Sequence, residues 1–181
     1  MNKKDMVDLI ASCLGAGRMV RTYFRYDEDS WYYYYPTAVN ERFLVGQEED
    51  DFQLDGYHIR KISDLVKAEI RSDLCEQINI WNGVVNGIKG LDMDISSWPS
   101  VFRSAVLQDK LIIVEDDLNG VYRLGKIKKA CARYVLLEDI DADGVIQEEP
   151  YRFPYSKITH VAWDTRYADN WYRYMKCHRN T

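Results

Sequence analysis

The sequence predicts a mainly β protein built from two five-stranded small barrels in tandem, each preceded by a short helix. The first observation is a weak internal repeat: Arg42-Phe43-Leu44-Val45, with an acidic stretch after it, returns as Arg133-Tyr134-Val135-Leu136, and such repetition indicates a duplicated structural unit. The second is the content of 14 Tyr and 5 Trp in 181 residues, because aromatic residues favour strands and bury large surfaces. The third is that a helical pattern followed by five strand-like segments occurs twice.

Residues 1–81 are predicted to form the first module. Apolar residues recur at helical spacing from Met6 to Leu14, and the Gly15-Ala16-Gly17 segment ends that helix. A tight turn at Ser63-Asp64-Leu65 precedes the last strand, and a second helix is expected from Asp73 to Trp81. The five predicted strands are rich in β-branched and aromatic residues and are bounded by polar, Gly or Pro residues. They span residues 18–26, 31–35, 41–45, 57–62 and 66–70.

Residues 82–95 are predicted to be a linker, since the stretch 82–90 carries repeated glycines and asparagines. The second module is expected across residues 96–181. It opens with a helix from Ser97 to Val106, where Pro99 lies just inside the start, and it closes with a helix from Thr165 to Cys177. Its predicted strands span residues 111–114, 121–130, 133–137, 151–155 and 158–163.

A short helix, five bent antiparallel strands and a one-turn connection before the last strand resemble the Sm-like (SH3-like) small barrel. The segments 52–65 and 155–167 are similar to a family of bacterial, mainly Firmicute-type, proteins with tandem Sm-like domains, for which no activity is established. Sm-like proteins generally bind RNA in ring-shaped oligomers. This chain lacks the Asp-x-Met-Asn signature after Phe43, and Ser63-Asp64 and Ser156-Lys157 stand where Arg-Gly or Lys-His is expected. RNA binding therefore transfers only as a fold-level analogy.

The charge and the cysteines indicate a cytoplasmic protein without a membrane segment. The formal net charge of -5 argues against a DNA-coating protein, which needs clustered Lys and Arg. The four cysteines are widely spaced, so reduced thiols in a bacterial cytoplasm are expected. The first residues lack the apolar core of a signal peptide, and no apolar run is long enough to span a bilayer.

No catalytic, cofactor or metal site is predicted. The segment Asp139-Ile140-Asp141-Ala142-Asp143-Gly144 matches the start of a calcium-binding loop, but Pro150 stands where a bidentate Glu is required. An acidic hairpin turn is the alternative interpretation. Cys131, His160 and the Cys177-His178 pair lack the ligand spacing of structural zinc sites. With so few candidate nucleophile–base pairs, we expect a protein that is not an enzyme.

Two sets of residues are the candidate binding sites. Strand alternation and helical spacing gather aromatic residues into a candidate interface of Trp31, Tyr33, Tyr35, Tyr167, Trp171 and Tyr174. The leading hypothesis is therefore a non-enzymatic interaction module that binds another protein or a second copy of itself. The alternative is RNA or single-stranded nucleic-acid binding through the second barrel, where cations follow a strand beside tyrosines. The candidate contacts are Arg123, Lys126, Lys128, Lys129 and Arg133.

Overall fold

A computed structural model describes residues 1–70, 72–106 and 109–178 of the protein, and at residue 28 only the backbone. The chain divides into two compact units, Met1–Asp92 and Met93–Thr181. The boundary falls within the predicted 82–95 linker. Part of that linker is structured: Val84–Gly87 forms a 3-10 turn, and the Lys89 backbone N–H donates a hydrogen bond to Gln47 Oε1 at 2.7 Å.

Unit 1 begins with helix α1 (Lys3–Ala11), whose start is fixed by a reciprocal cap. The Asp5 backbone N–H donates to the Asn2 side chain, and the Asn2 backbone N–H donates to the Asp5 side chain. A 3-10 turn, Ile62–Asp64, precedes the last strand, and helix α2 (Leu74–Trp81) follows it. The strands are β1 (Val20–Phe24), β2 (Asp27–Val39), β3 (Phe43–Asp50), β4 (Gln53–Lys61) and β5 (Leu65–Ile70).

These five strands form an antiparallel sheet in the order β5-β1-β2-β3-β4. Val20 of β1 therefore lies opposite Tyr34 on one side and Ile70 on the other. Helix α1 packs against β2 and β5. The core beneath it is apolar and is contributed mainly by α1, β1, β2 and β5: Met6, Ile10, Cys13, Val20, Phe24, Tyr34, Leu44, Ile62, Leu65 and Ala68.

The predicted helices of unit 1 are confirmed, but β2 and β3 are longer than expected. The segment 27–30, expected as a turn, belongs to β2, and the acidic segment 47–50 belongs to β3. Acidic residues have low intrinsic strand propensity, yet pairing with a neighbouring strand overrides it. Here Glu49 lies opposite Tyr33 of β2 and Leu54 of β4, so the acidic segment is held from both sides.

Unit 2 repeats the order of one helix and five strands, and adds a C-terminal helix. Helix α3 (Trp98–Val106) opens it and helix α4 (Arg166–His178) closes it. The strands are β6 (Ile112–Asp116), β7 (Val121–Ala130), β8 (Tyr134–Ile140), β9 (Tyr151–Pro154) and β10 (His160–Trp163). They are antiparallel, in the order β10-β6-β7-β8-β9. One core cluster joins this sheet to α4: Leu111, Ile113, Leu124, Ile140, Ala162, Ala168 and Met175.

The mainly β class is confirmed, whereas two closed barrels are not shown. In the described part of unit 1, hydrogen-bonded pairing runs from β5 to β4 without joining these two strands to each other. In the described part of unit 2, β10 and β9 are likewise not paired to each other. In the described part of each unit, the last strand pairs with the first strand but not with the fourth, so the unit's own sheet does not close.

Candidate functional site

An open cleft in unit 2 is the strongest candidate for a binding site. It lies between the start of β7, the end of β8 and one face of α4, and its volume is about 490 Å³. Aromatic and charged side chains form its walls, chiefly Tyr122, Arg123, Asp139, Asp141, Tyr167 and Trp171. A second hollow of about 520 Å³ continues along α4 past Trp171 to Tyr174. We call the two hollows together the aromatic cleft.

The two faces of α4 explain why aromatic residues line this cleft. Ala168 and Met175, seven positions apart, are buried in the core and fix the inner face. Tyr167, Trp171 and Tyr174 follow the spacing i, i+4, i+7 and share another face. Tyr167 and Tyr174 are 51% and 57% exposed. The sequence-based prediction of one aromatic face on this helix is therefore confirmed.

The aromatic rings form a connected surface. The ring centroids of Tyr167 and Trp171 are 6.4 Å apart, and those of Tyr122 and Tyr167 are 6.2 Å apart, both in edge-to-face arrangements. Such packing is favourable for ring quadrupoles and holds each ring in a defined orientation. Burial of part of the Tyr122 side chain raises the pKa of its hydroxyl above the usual value. The ring contacts thus orient the aromatic side chains of the cleft, and burial favours the neutral form of the Tyr122 hydroxyl.

A partly satisfied charge pair forms the polar floor of the cleft. The Arg123 guanidinium lies over the Tyr151 ring at 4.3 Å, and its Nε is 3.7 Å from Asp139 Oδ2. Burial raises the pKa of Asp139, while the Arg123 charge acts in the opposite direction. Within the described residues, neither Arg123 Nε nor Asp139 Oδ1 has a hydrogen-bond partner. Both of these atoms are buried, so the pair is incompletely satisfied within the protein.

The calcium-like acidic turn has a structural role beside the cleft. Asp141 Oδ1 accepts hydrogen bonds from the Asp143 and Val145 backbone N–H groups at 3.0 and 2.9 Å, and Asp141 Oδ2 accepts one from the Gln147 amide at 2.8 Å. Gly144 has a φ of 80°, and a Cβ there would lie 2.9 Å from the Trp171 ring. Among the described residues, no group of three or more His, Cys, Asp or Glu could hold a metal ion.

The predicted nucleic-acid contacts separate into two groups. Arg123 lies in the cleft, and Lys126 donates to Asp109 Oδ1 at 2.6 Å with its ammonium 5.2 Å from the Tyr172 ring. Lys128, Lys129 and Arg133 are exposed at the β7–β8 hairpin. The pairing register shifts between Ile127 and Lys129, so the regular alternation of strand faces does not continue from Lys126 to the hairpin.

The aromatic candidates of unit 1 also have different positions. Trp31 and Tyr33 flank the Arg21 guanidinium at 5.2 and 4.9 Å, and Trp31 is 49% exposed. Tyr35 is 1% exposed, because it lies close to Asn79 of α2. Burial raises the pKa of Tyr35 to about 12. Tyr35 thus belongs to the interior of the unit, whereas Trp31 remains available at the surface.

The buried Arg60 network is a feature that sequence reasoning missed. Arg60 is only 3% exposed; its Nε donates to the Tyr34 hydroxyl and its Nη1 to the Tyr26 hydroxyl, both at 2.8 Å. The guanidinium also lies 4.2 Å from the Tyr32 ring. The even-numbered tyrosines of β2 therefore surround a cation in the interior. The only signal in the sequence was an Arg within a strand, because β3 separates β4 from the tyrosine-rich β2.

His160, a zinc-ligand candidate from the sequence, has a structural partner, as do His58 and Ser63. His160 Nδ1 hydrogen-bonds to Glu115, and His58 Nδ1 is 2.8 Å from Glu48 Oε2. The Ser63 hydroxyl donates to Asp64 Oδ1 at 3.3 Å. Cys177 is exposed, Cys131 is half-buried, and the described cysteines are free thiols. These contacts join neighbouring strands and turns.

Fold and site together define a mainly β protein of two units with an aromatic cleft in the second. No protein-family model matches the chain, and neither a curated protein nor a solved structure matches it. The resemblance to tandem Sm-like proteins therefore stays a prediction. None of the helices in the described ranges combines the length and apolarity needed to cross a bilayer.

Proposed function

We propose that the protein is a non-enzymatic interaction module that binds a protein partner through the aromatic cleft of unit 2. The observation that carries this proposal is a partly exposed aromatic surface beside the Arg123–Asp139 pair: the rings of Tyr122, Tyr167 and Trp171 contact one another in turn, and Tyr174 follows on the same helix face. Tyr and Trp dominate binding energy at protein interfaces, because each buries a large area and keeps a polar tip.

The charges around the cleft favour a protein partner over a polyanion. Asp139 and Asp141 line the cleft together with Arg123, and Asp143 lies beside it. The Arg123 charge is partly neutralised by Asp139 at 3.7 Å. A phosphate chain would meet an excess of negative charge there, which opposes binding. A peptide segment with apolar or cationic side chains meets no such opposition.

The proposal includes the fold and the cellular location. Each unit is taken to be an Sm-like (SH3-like) small barrel of bacterial type, supported by the order of one helix and five antiparallel strands. The 3-10 turn before β5 and the pairing of the last strand with the first add to that support. A cytoplasmic location accords with the free thiols of the described cysteines.

The test compares wild-type protein with the Tyr167→Ser/Tyr174→Ser variant in pull-downs from nuclease-treated lysate of the source cells. Both rings are more than half exposed, so the variant should fold normally. Trp81→Ser is the matched control, because it removes an 85% exposed ring from unit 1. Partner proteins should be reduced about tenfold or more by the double variant and retained by the control. Equal retention by all three proteins would contradict the proposal.

A second candidate function is single-stranded nucleic-acid binding at the β7–β8 hairpin. Four cations, Lys128, Lys129, Arg133 and Arg152, are exposed there, and Arg152 lies 4.0 Å from the Tyr134 ring. Labelled RNA should then bind at about 50 mM salt and be released at about 200 mM salt. Lys128→Gln/Lys129→Gln should weaken that binding. The absence of binding at the lower salt concentration would rule this candidate out.

A further inference from the structure

The aromatic rings of unit 2 differ in whether a cation of the chain already lies against them. Three tyrosines have a lysine or arginine between 4.0 and 5.2 Å from the ring, in the pairs Tyr134–Arg152, Tyr151–Arg123 and Tyr172–Lys126. Among the described residues, no lysine or arginine lies over the ring of Tyr167 or Trp171, the two rings that line both hollows of the cleft. Aromatic ring faces attract cations, and this attraction is unused at these two rings.

The second hollow, along α4, has two of its rings inclined to each other. The centroids of Tyr167 and Trp171 are 6.4 Å apart and their planes differ by 61°, so a guest in the hollow meets two rings in different orientations. Tyr174 extends the lining, although His178 is stacked on its ring at 4.1 Å. The open ring surface of this hollow is therefore mainly that of Tyr167 and Trp171.

The charge of the second hollow is negative. The structure gives its lining as one carboxylate, one amide and three aromatic residues: Asp143, Asn170, Tyr167, Trp171 and Tyr174. Asp143 is exposed, and within the described ranges its carboxylate has neither a hydrogen-bond partner nor an ion-pair partner. The neighbouring Asp141 carboxylate accepts hydrogen bonds only from uncharged N–H groups of those ranges. No cation of the described chain therefore neutralises the acidic turn.

Close packing holds the acidic turn against the rings. A Cβ on Gly144 would lie 2.9 Å from the Trp171 ring, so the turn backbone approaches this ring more closely than another residue type allows. The hydrogen bonds from the Asp143 and Val145 backbone N–H groups to Asp141 fix the turn itself. Asp143, which directly precedes Gly144, is consequently placed beside the ring. A free carboxylate and two ring faces without a cation thus meet in one hollow.

We propose that the partner of the aromatic cleft inserts a lysine-type cationic side chain between Tyr167, Trp171 and Asp143. This assignment rests on the proposed function and names the chemistry of the partner residue. An ammonium group, methylated or not, is attracted by the ring quadrupoles and by the carboxylate. The hollow contains a single charged acceptor, which suits an ammonium better than a guanidinium with five donors.

The experiment is an NMR titration of the full-length protein with three small probes. They are Nα-acetyl-lysine methylamide, its Nε-trimethylated form, and the neutral isostere of the latter, with carbon in place of the ammonium nitrogen. The trimethylated probe should shift the Trp171 indole N–H resonance, which Trp171→Phe assigns. The neutral isostere should bind at least about threefold more weakly. Binding of unmodified lysine with similar affinity indicates an unmodified partner residue, and clearly weaker binding indicates a methylated one.

Two variants locate the recognition of charge. Asp143→Asn should weaken binding of the trimethylated probe about twofold or more and leave the neutral isostere unchanged. Glu148→Gln is the matched control, because it removes the same charge from an exposed residue of the same loop that does not line the hollow. Tyr167→Leu retains apolar bulk but removes the ring, and it should abolish the preference for the charged probe.

Several outcomes would overturn this assignment. Equal affinity for the trimethylated probe and its neutral isostere would identify an ordinary apolar hollow, and a lack of binding by both cationic probes would exclude cation recognition. Equal effects of Asp143→Asn and Glu148→Gln would remove the role of Asp143. In each case the pull-down with Tyr167→Ser/Tyr174→Ser can still succeed. Conversely, charge-dependent probe binding without loss of partner proteins in that pull-down would contradict the proposed function alone.

Discussion

The two units share an order of elements but use their aromatic residues in opposite ways. In unit 1, the rings of Phe24 and Tyr32 lie 5.1 and 4.2 Å from the buried Arg60 guanidinium. In unit 2, Tyr167 and Tyr174 stand on the outer face of α4, each more than half exposed. Aromatic residues therefore surround an interior cation in one unit and form an exposed surface in the other.

The two units differ in the burial and the pairing of an arginine guanidinium that lies beside tyrosine rings. Arg60 donates to two phenol oxygens and is almost completely buried. Burial opposes its charge, but Tyr34 and its neighbours raise the pKa of Arg60 further above the usual value. Arg123 in unit 2 is 37% exposed at its side chain and has an imperfect carboxylate partner. The first arrangement belongs to the core, whereas the second lies at a partly exposed surface.

The largest expected effect comes from removing the hydroxyl groups that bind Arg60. Tyr34→Phe combined with Tyr26→Phe keeps both rings but removes the two phenol oxygens that accept hydrogen bonds from Arg60 Nε and Nη1. Loss of two hydrogen bonds to a buried charge should lower the free energy of unfolding by roughly 3–5 kcal/mol. The measurement is urea unfolding followed by circular dichroism, with hydrogen exchange to assign the loss to the strands of unit 1.

Two further variants separate this cause from simple loss of packing. Adding Arg60→Met should recover part of the stability, because no buried charge then lacks these two hydrogen bonds. Tyr134→Phe in unit 2 is the matched control: its ring faces the exposed Arg152, and its effect should stay within about 0.5 kcal/mol. A triple variant less stable than the double variant would refute the explanation.

An intermediate loss of stability is expected when alanine replaces a glycine at which two strands lie close together, and the two units differ in how close these strands are. A Cβ on Gly125 would lie 2.3 Å from the Glu138 carbonyl oxygen, whereas a Cβ on Gly46 would lie 3.0 Å from Tyr34 Cβ and the Tyr35 carbonyl oxygen. Gly125→Ala should therefore cost about 1–3 kcal/mol, and Gly46→Ala should cost less. Chemical denaturation midpoints of the two variants test this order. Equal midpoints would show that β7 and β8 can separate without penalty.

Local sequence patterns predicted the helices and strands better than they predicted which residues are buried or brought together in the tertiary structure. The helix from Thr165 to Cys177 and its aromatic face were predictable, because helical spacing is a local property, and α4 spans Arg166–His178. The acidic segment 47–50 was not recognised as strand, because its stability comes from pairing on both sides. The burial of Arg60 was also unpredictable, since charged residues are rarely fully buried. Arg123 and Trp171 line the same cleft only because the tertiary structure brings β7 and α4 together.

The smallest predicted effect is a change in protein stability with pH that arises from the Arg123–Asp139 pair. This effect distinguishes the partly exposed charge pair of unit 2 from the buried Arg60 of unit 1. Burial raises the pKa of Asp139 above 3.8. When the pKa of a carboxyl is higher in the folded state, protonation of that carboxyl favours folding. The resulting stabilisation is fully present below pH 3.8, the usual pKa of the group, and is lost as the pH rises through the pKa of the folded state. Asp139→Asn mimics the protonated form. The stability of the variant relative to wild type should therefore increase from about pH 4 to about pH 7.

The size of that increase should be on the order of 1 kcal/mol or less, because Arg123 offsets part of the cost and the pair is partly exposed. Urea unfolding at several pH values measures it. In an Arg123→Met background the increase should be larger, since the opposing charge is gone. If the relative stability of Asp139→Asn instead fell with pH, attraction to Arg123 would outweigh burial, and the floor of the cleft would be an ordinary ion pair.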